Sequence, residues 1–212
     1  MLDVPYVKSP AKNACALACH LMVAKTFFPE TTTEELKSVL RWRDGYIVWS
    51  FPFWLWLAGK GLHIKDSDTV PYREWATEGF EVLQNTFSAE TMNYWRKNTL
   101  DLDGYRDDIR RLFSLENFIY HQQAPEIDDV RKALVGKAVC EVTLGSNALN
   151  NEPGGLAIHR IVVLEVTDKQ IIFHDPATPA DEDRPRRVES IDTFMKAWPK
   201  EIRELCVYEK PD

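Results

Sequence analysis

The chain has 212 residues, of which 44% are hydrophobic and 28% are charged, a balance typical of globular proteins and unlike that of disordered ones. Asp and Glu outnumber Lys and Arg by 33 to 26, and the resulting formal charge of −7 argues against binding to nucleic acid or to an anionic membrane. The length suits one domain, residues 1–212, and the first residues lack the pattern of a signal peptide, so we expect a cytoplasmic protein with free thiols.

The first two-thirds of the chain, about residues 1–135, has mainly helical patterns. The alanine-rich segment 14–28 carries apolar side chains at helical spacing and stops at a proline, which predicts a first helix. Thr32 and Glu35 have the spacing of a capping box and predict a second helix that continues to about Trp42. Further helices are predicted at 52–59, in 72–115 with a break near 101–104, and at 128–134, with an extended segment at 4–7 and a weak strand at 62–65.

The last third, about residues 136–212, changes to β patterns. Its segments are rich in β-branched residues, and Asp168-Lys169 predicts the turn of a hairpin. We therefore predict an α+β fold in which amino-terminal helices pack on a carboxy-terminal antiparallel sheet. The predicted strands are 138–144, 158–166, 170–175 and 205–209, and a helix is predicted at 190–198.

Two other segments have a distinctive composition. The run 184–187, Arg-Pro-Arg-Arg, follows three consecutive acidic residues, and we interpret it as a solvated loop. The aromatic segment 47–61 contains Trp49, Trp54 and Trp56. We interpret these tryptophans as core or cleft residues that could shape a groove for an extended ligand.

Cys15 stands at the start of the first predicted helix. The partial positive charge of a helix amino terminus, together with its free backbone N–H groups, stabilises a thiolate and lowers the pKa of a cysteine there. Cysteine is also among the residue types most often buried in a core. Cys15 is therefore a candidate nucleophile that needs a base beside it.

His159 and Asp175 supply such a base and its partner. His159 lies at the start of the most apolar strand, and Asp175 ends the next one. In a hairpin turning at Asp168-Lys169, facing residues have numbers that sum to about 337, so that Asp175 lies near His159 at the open end. A carboxylate there can fix the tautomer of an imidazole and stabilise its charged form. A histidine bonded to a carbonyl and a turn aspartate before a proline are the structural alternatives.

Two parts of the chain resemble a known family. Residues 4–7, Val-Pro-Tyr-Val, and then residues 13–23 resemble the amino-terminal signature of the double-glycine, bacteriocin-processing peptidases and their stand-alone relatives, which are papain-like cysteine peptidases. Residues 156–179 resemble the strand, hairpin and Asp-Pro of the same family that follow its histidine. The resemblance rests on about 45 residues, and it implies a papain-like fold.

The resemblance also implies a chemistry. Cys15, His159 and Asp175 match the nucleophile, the base and the orienting acid of the family. The implied activity is hydrolysis of a peptide or amide bond through an acyl-enzyme, without a cofactor or a metal, on a peptide or protein substrate. The sequence gives no sign of the oligomeric state.

The sequence departs from the family pattern beside the nucleophile. The oxyanion-hole glutamine of the family, about six residues before the cysteine, falls at Ser9, and Asn13 is a nearer alternative at a different spacing. The glycine that follows the family's cysteine is Ala16 here. Ser9 and Asn13 are therefore the candidate side chains for the oxyanion hole, beside the backbone N–H of Cys15.

Other cysteine and histidine residues predict less. Cys15, Cys19 and His20 could suggest a metal site, but no second pair of ligands is evident, and we assign Cys19 to the core or to a pocket wall. The two cysteines in apolar strands are predicted to be core residues. Four histidines have no evident partner. These cysteines and histidines are Cys140, Cys206, His20, His63, His121 and His174.

Two further hypotheses remain beside the hydrolase. A non-catalytic papain-like module that binds peptides or regulates a partner would explain the missing glutamine. An interaction scaffold that uses the aromatic segment would explain the tryptophans without any catalytic role. The scaffold hypothesis predicts that Cys15 and His159 lie far apart.

Overall fold

A computed structural model describes residues 2–154, 157–178 and 180–211 of the chain. Leu156 and Pro179, which belong to the segment resembling the peptidases, lie outside the described residues. Within the described ranges the helices are α1 (Cys15–Phe27), α2 (Thr33–Val39), α3 (Phe51–Gly59), α4 (Tyr72–Glu78), α5 (Ala89–Asn98), α6 (Leu102–Leu112), α7 (Ile127–Val135), α8 (Ser146–Leu149) and α9 (Ile191–Ala197), with 3₁₀ turns at Phe80–Asn85 and Lys200–Ile202. The strands are β1 (His63–Asp68), β2 (Phe118–Gln122), β3 (Val139–Gly145), β4 (Ile158–Val166), β5 (Gln170–Asp175), β6 (Arg184–Ser190) and β7 (Glu204–Glu209).

These strands form one sheet in the order β2-β1-β7-β3-β4-β5-β6. β1 and β2 are parallel, and every other neighbouring pair is antiparallel. The combination of helices and a sheet predicted from the sequence is confirmed. The sheet is mixed rather than purely antiparallel, because β1 and β2 pair in parallel. Both strands come from the mainly helical part of the chain and add to the sheet formed by the last third.

The two edge strands were not predicted correctly. The prediction of a solvated loop at 184–187 is wrong, because these residues begin β6 and pair with β5. β2 carries no predicted strand, although it pairs with β1 along its whole length. An edge strand is exposed on one side and tolerates charged residues, so its sequence lacks the apolar pattern of a central strand.

The hairpin of β4 and β5 determines which side chains share a face. Next to the turn, Val166 pairs with Ile171, and these numbers sum to the predicted 337. A β-bulge between Val163 and Glu165 then shifts the register, so that Val162 pairs with His174. One extra residue in a strand shifts the pairing by one position, so that the side chains beyond it lie on the opposite face of the sheet relative to the partner strand. The bulge thereby brings Asp175 to the face of the sheet that carries His159, whereas the unbroken register would have put it on the opposite face.

Helix α1 is buried between the sheet and the other amino-terminal helices. Leu17, Cys19 and Met22 have no exposed surface, although they point in different directions around the helix. The Cys19 thiol donates to the carbonyl of Arg160 in β4 at 3.2 Å, so that α1 lies directly on this strand. Packing on all sides fixes the helix and therefore the position of its first residue, Cys15.

The aromatic segment forms core rather than a groove. Trp54 in α3 is 1% exposed and Trp49 is 9% exposed, which confirms the interpretation of these two as core residues and excludes them from the walls of a groove. The Trp54 indole donates to the Tyr208 hydroxyl at 3.1 Å, and Trp49 packs edge-on against Trp75. Trp56 is half-buried and lines a surface cavity of ≈ 290 Å³.

A second group of apolar side chains packs on the other face of the sheet. Phe173 and Ile161 of this face belong to one apolar cluster with Phe194 of helix α9, and all three have no exposed surface. Helices therefore cover the sheet on both sides. The ends of β4 and β5 emerge beside the start of α1, and this is where the predicted site residues lie.

Candidate active site

Cys15 is the first residue of α1 and is half-buried. The residue before it, Ala14, has no side chain that can cap the helix. The first N–H groups of a helix have no acceptor within the helix, and here no capping side chain occupies them. The thiol therefore stands at a helix terminus that has no side-chain cap.

His159, near the start of β4, is bound to Asp175 at the end of β5. The imidazole Nε2–H donates to Asp175 Oδ1 at 2.9 Å. The carboxylate is almost fully buried, whereas 15% of the His159 side chain is exposed. Because Nε2 is occupied, the other ring nitrogen, Nδ1, is the one available for the hydrogen bond between His159 and the Cys15 thiol.

The protonation of Cys15 and His159 is coupled. Burial raises the pKa of the Cys15 thiol, but the hydrogen bond and charge of His159 outweigh it, so that this pKa is lowered overall. A backbone hydrogen bond from Arg160 lowers the Cys15 pKa further. Burial lowers the pKa of His159, whereas the hydrogen bonds to Asp175 and Cys15 raise it to about 10. Both shifts favour a thiolate beside an imidazolium near neutral pH.

Asp175 is held by donors on both oxygens. Oδ1 accepts the N–H of Ala177 at 3.0 Å in addition to His159, and Oδ2 accepts from Arg187 at 2.9 Å and Arg184 at 3.4 Å. Burial raises the pKa of Asp175, but the hydrogen bond and charge of His159, with these further donors, hold it well below the usual range. The residue that orients the base therefore stays ionised.

The two candidates for the oxyanion hole differ in their surroundings. Ser9 is buried, its hydroxyl donates to the carbonyl of Ala11 at 2.8 Å, and its N–H donates to the carbonyl of Pro176 at 2.8 Å. Its proton is thus already used, and Ser9 ties the amino-terminal segment to the turn after Asp175. Asn13 is exposed and has a left-handed backbone, with φ of 65°. The structure brings Cys15, His159 and Asp175 together, but neither of these side chains joins them as a preformed donor.

A buried polar network lies directly behind the site. The Arg160 side chain bridges Glu141 at 3.2 Å and Glu204 at 2.6 Å. Glu141 also accepts from His20 Nδ1 at 2.9 Å and from the Tyr208 hydroxyl at 2.7 Å. The Glu141 pKa is lowered, because His20 and Arg160 outweigh the effect of burial.

Local sequence patterns do not predict most of this network. The prediction that His20 and His174 lack partners is wrong, because His20 binds Glu141 and His174 Nε2 donates to the carbonyl of Val4 at 2.9 Å. One signal was present: Glu141 and Arg160 are charged residues inside apolar strands, where a charge requires a partner.

The other three cysteines lie in the core, as the sequence predicts. Cys19, Cys140 and Cys206 are free thiols and are fully buried. Burial raises the pKa of all three, to about 12 for Cys140. Among the described residues, no group of three or more His, Cys, Asp or Glu side chains is arranged to hold a metal ion. In the same part of the chain, the helices are too short or too polar to span a membrane.

Comparison of the chain with protein-family models, with curated proteins and with solved structures finds no match. The case for a function therefore rests on the residues themselves and on their arrangement.

Proposed function

We propose that the protein is a cysteine-dependent hydrolase that acts on a peptide or amide bond. The observation that carries this proposal is the chain of hydrogen bonds from the Cys15 thiol through His159 to the buried Asp175. A nucleophile at a helix start, a base that contacts it and a carboxylate that orients the base are the parts that acyl transfer needs. The resemblance to the double-glycine peptidases supports the same assignment and a papain-like fold.

The proposed reaction has two steps. The Cys15 thiolate attacks the carbonyl carbon, and the imidazolium of His159 gives its proton to the departing amine, which leaves an acyl-enzyme. His159 then takes a proton from water as the water attacks the thioester, and the acid product and the thiol are released. Asp175 keeps the imidazole in one orientation and stabilises its charge throughout. In this reaction the backbone N–H of Cys15, at the start of α1, stabilises the developing oxyanion.

The oxyanion hole departs from the pattern of the double-glycine peptidases. The family's glutamine is absent, and the Ser9 hydroxyl donates to Ala11 rather than toward Cys15. Loss of one oxyanion donor typically costs about 10²–10³ in rate. This observation favours the alternative, a non-catalytic papain-like module that binds peptides or regulates a partner.

We further propose a peptide or protein substrate and a cytoplasmic setting. The net charge of −7 disfavours nucleic acid and anionic membranes as partners. The four cysteines are free thiols, which suits a reducing compartment.

The pH dependence of Cys15 alkylation by iodoacetamide tests the proposal. Because His159 lowers the pKa of the thiol, we expect Cys15 to react at pH values well below the free-thiol pKa of about 8.5. In His159→Ala, that reactivity at low pH should disappear. Reaction at each cysteine is followed by mass spectrometry of the digested protein.

The same protein contains its own control. Cys19, Cys140 and Cys206 are buried and should remain unmodified while the chain is folded. If Cys15 reacts like an ordinary thiol in both the wild type and His159→Ala, the hydrolase proposal is contradicted and the non-catalytic peptide-binding module is favoured. If Cys15 is activated, an assay of peptide and amide substrates follows, in which Cys15→Ala should abolish turnover.

A further inference from the structure

The arginines of β6 reach the site through a second β-bulge. Phe173 pairs with Arg187 and Asp175 pairs with Arg184, so one residue of β5 lies opposite two residues of β6. One of these two residues is Arg186, which has a left-handed backbone conformation with φ of 51°. Residues three apart point to opposite faces of a regular strand, but a bulge between them puts them on the same face. Arg184 and Arg187 are therefore both directed at Asp175.

Arg187 is held in place by contacts on every side of its guanidinium. One terminal nitrogen donates to Asp175 Oδ2 at 2.9 Å and to Asn150 Oδ1 at 2.8 Å. The other donates to the Leu149 carbonyl at 3.2 Å and to Glu189 at 2.8 Å, and Nε donates to Glu189 at 2.9 Å. Its side chain is 17% exposed. A guanidinium fixed in this way presents a rigid donor to the carboxylate.

We propose that Arg187, assisted by Arg184, is a positioning residue that acts on the catalytic base through Asp175. This inference rests on the proposed function and adds a residue to it. With Oδ2 bound to the arginines, the carboxylate is fixed so that Oδ1 faces His159. Without them, Oδ2 would lose its side-chain donors, and the carboxylate would be held only through Oδ1 and free to rotate away from the imidazole.

The segment 184–187 supplies a matched set of variants. Arg187 contacts Asp175 at 2.9 Å, Arg184 contacts it at 3.4 Å, and Arg186 is exposed, with no ion pair to Asp175 in the described residues. Substitution of each by Met removes the same charge from the same strand. Arg187→Lys keeps the charge but loses the forked set of hydrogen bonds.

The test is the pH profile of Cys15 alkylation between about pH 4 and pH 9. In Arg187→Met, Asp175 loses the donor that fixes its orientation, its hydrogen bond to His159 loosens, and the imidazolium that stabilises the Cys15 thiolate is less well supported. We therefore expect the acid limb of the profile to move up by about one pH unit, or about tenfold in rate on that limb. Arg184→Met should give a smaller shift, Arg186→Met none, and Arg187→Lys a partial recovery.

Thermal melting of each variant separates positioning from a purely structural role. A structural role would lower the melting temperature of Arg187→Met and leave the pH profile of the folded protein unchanged, which would overturn the inference. Equal shifts in Arg186→Met and Arg187→Met would also overturn it, because they would reflect charge alone. If Arg187→Met does not fold, Arg187→Lys and Arg184→Met decide by the same comparison. Failure of the hydrolase proposal looks different, because wild-type Cys15 would then show no reactivity at low pH.

Discussion

Asp175 and Asp68 are both buried carboxylates, yet their surroundings move their pKa values in opposite directions. Asp175 meets His159 and two arginines, and its pKa is held well below the usual range. At Asp68, burial and the nearby charge of Glu204 raise the pKa to about 7, although the Val70 N–H and the Tyr72 hydroxyl donate to it. A cation within hydrogen-bond distance decides whether burial leaves a carboxylate charged.

Asp68 should make the protein less stable as the pH rises. The unfolded chain loses this proton near pH 4 and the folded chain near pH 7, so the contribution of Asp68 to stability declines between about pH 4 and about pH 7. Asp68→Asn stays uncharged in both states. We therefore expect the free energy of unfolding of Asp68→Asn, relative to that of the wild type, to increase from about pH 4 to about pH 7 and to stay constant above that.

Urea unfolding at several pH values measures this difference. Asp168→Asn, at the exposed turn between β4 and β5, is the control and should stay parallel to the wild type. A constant difference between Asp68→Asn and the wild type across the window would show that Asp68 ionises at the same pH in both states.

At the scale of elements, the bulges of β4 and β6 mark how far the sequence could predict the site. The residue types and the hairpin identified Cys15, His159 and Asp175, and the pairing number was right next to the turn. The residues around Val163 contain no pattern that predicts the bulge, which brings Asp175 to the face of the sheet that carries His159. A bulge depends on how the strands twist against their neighbours, and that is a property of the assembled sheet.

The interpretation of 184–187 failed for a related reason. Three arginines or lysines near three acids commonly form a solvated loop, and Arg186 is indeed exposed. Arg184 and Arg187 turn inward because β5 offers them a buried carboxylate. Local sequence patterns also do not predict partners that are distant in the chain, such as Glu141 for His20.

Helix α2 shows the opposite case, in which local sequence sufficed. Half of the predicted capping box is confirmed: the Thr32 hydroxyl accepts the N–H of Glu35 at 3.1 Å, and the described hydrogen bonds of the helix include no return bond from the Glu35 side chain. Because this bond satisfies a free donor at the helix start, Thr32→Ala should lower the free energy of unfolding by about 1 kcal/mol. Thr33→Ala, one position inside the helix, should cost less, since Ala favours the helix. Urea denaturation measures both, and equal losses would contradict the capping role.

At the scale of the whole molecule, the network behind the site ties the layers together. Glu141 in β3 binds His20 from α1, Arg160 from β4 and Tyr208 from β7. The Tyr208 hydroxyl in turn accepts from Trp54 in α3. Polar contacts thus join helix α1 directly to β3 and β4, and through Glu141 to β7, in addition to its apolar packing.

Glu141→Leu should therefore destabilise the protein strongly. The substitution leaves His20 and Tyr208 buried without their acceptor and removes one of the two partners of Arg160, which typically costs about 3–5 kcal/mol. The exposed pair of Glu34 and Lys37 is the comparison, and Glu34→Gln should cost less than about 0.5 kcal/mol. A loss below about 1 kcal/mol for Glu141→Leu in urea would mean that the network adds little.

The tie between Ser9 and the turn at Pro176 has a consequence for the order of assembly on the ribosome. Ser9 and Cys15 are made before their partners for the site, from His159 to Arg187, which lie much later in the chain. Contacts so distant in sequence form late in folding. Cys15 therefore leaves the ribosome as an ordinary thiol and acquires its base when most of the chain has been translated, so that an incomplete chain carries no activated nucleophile.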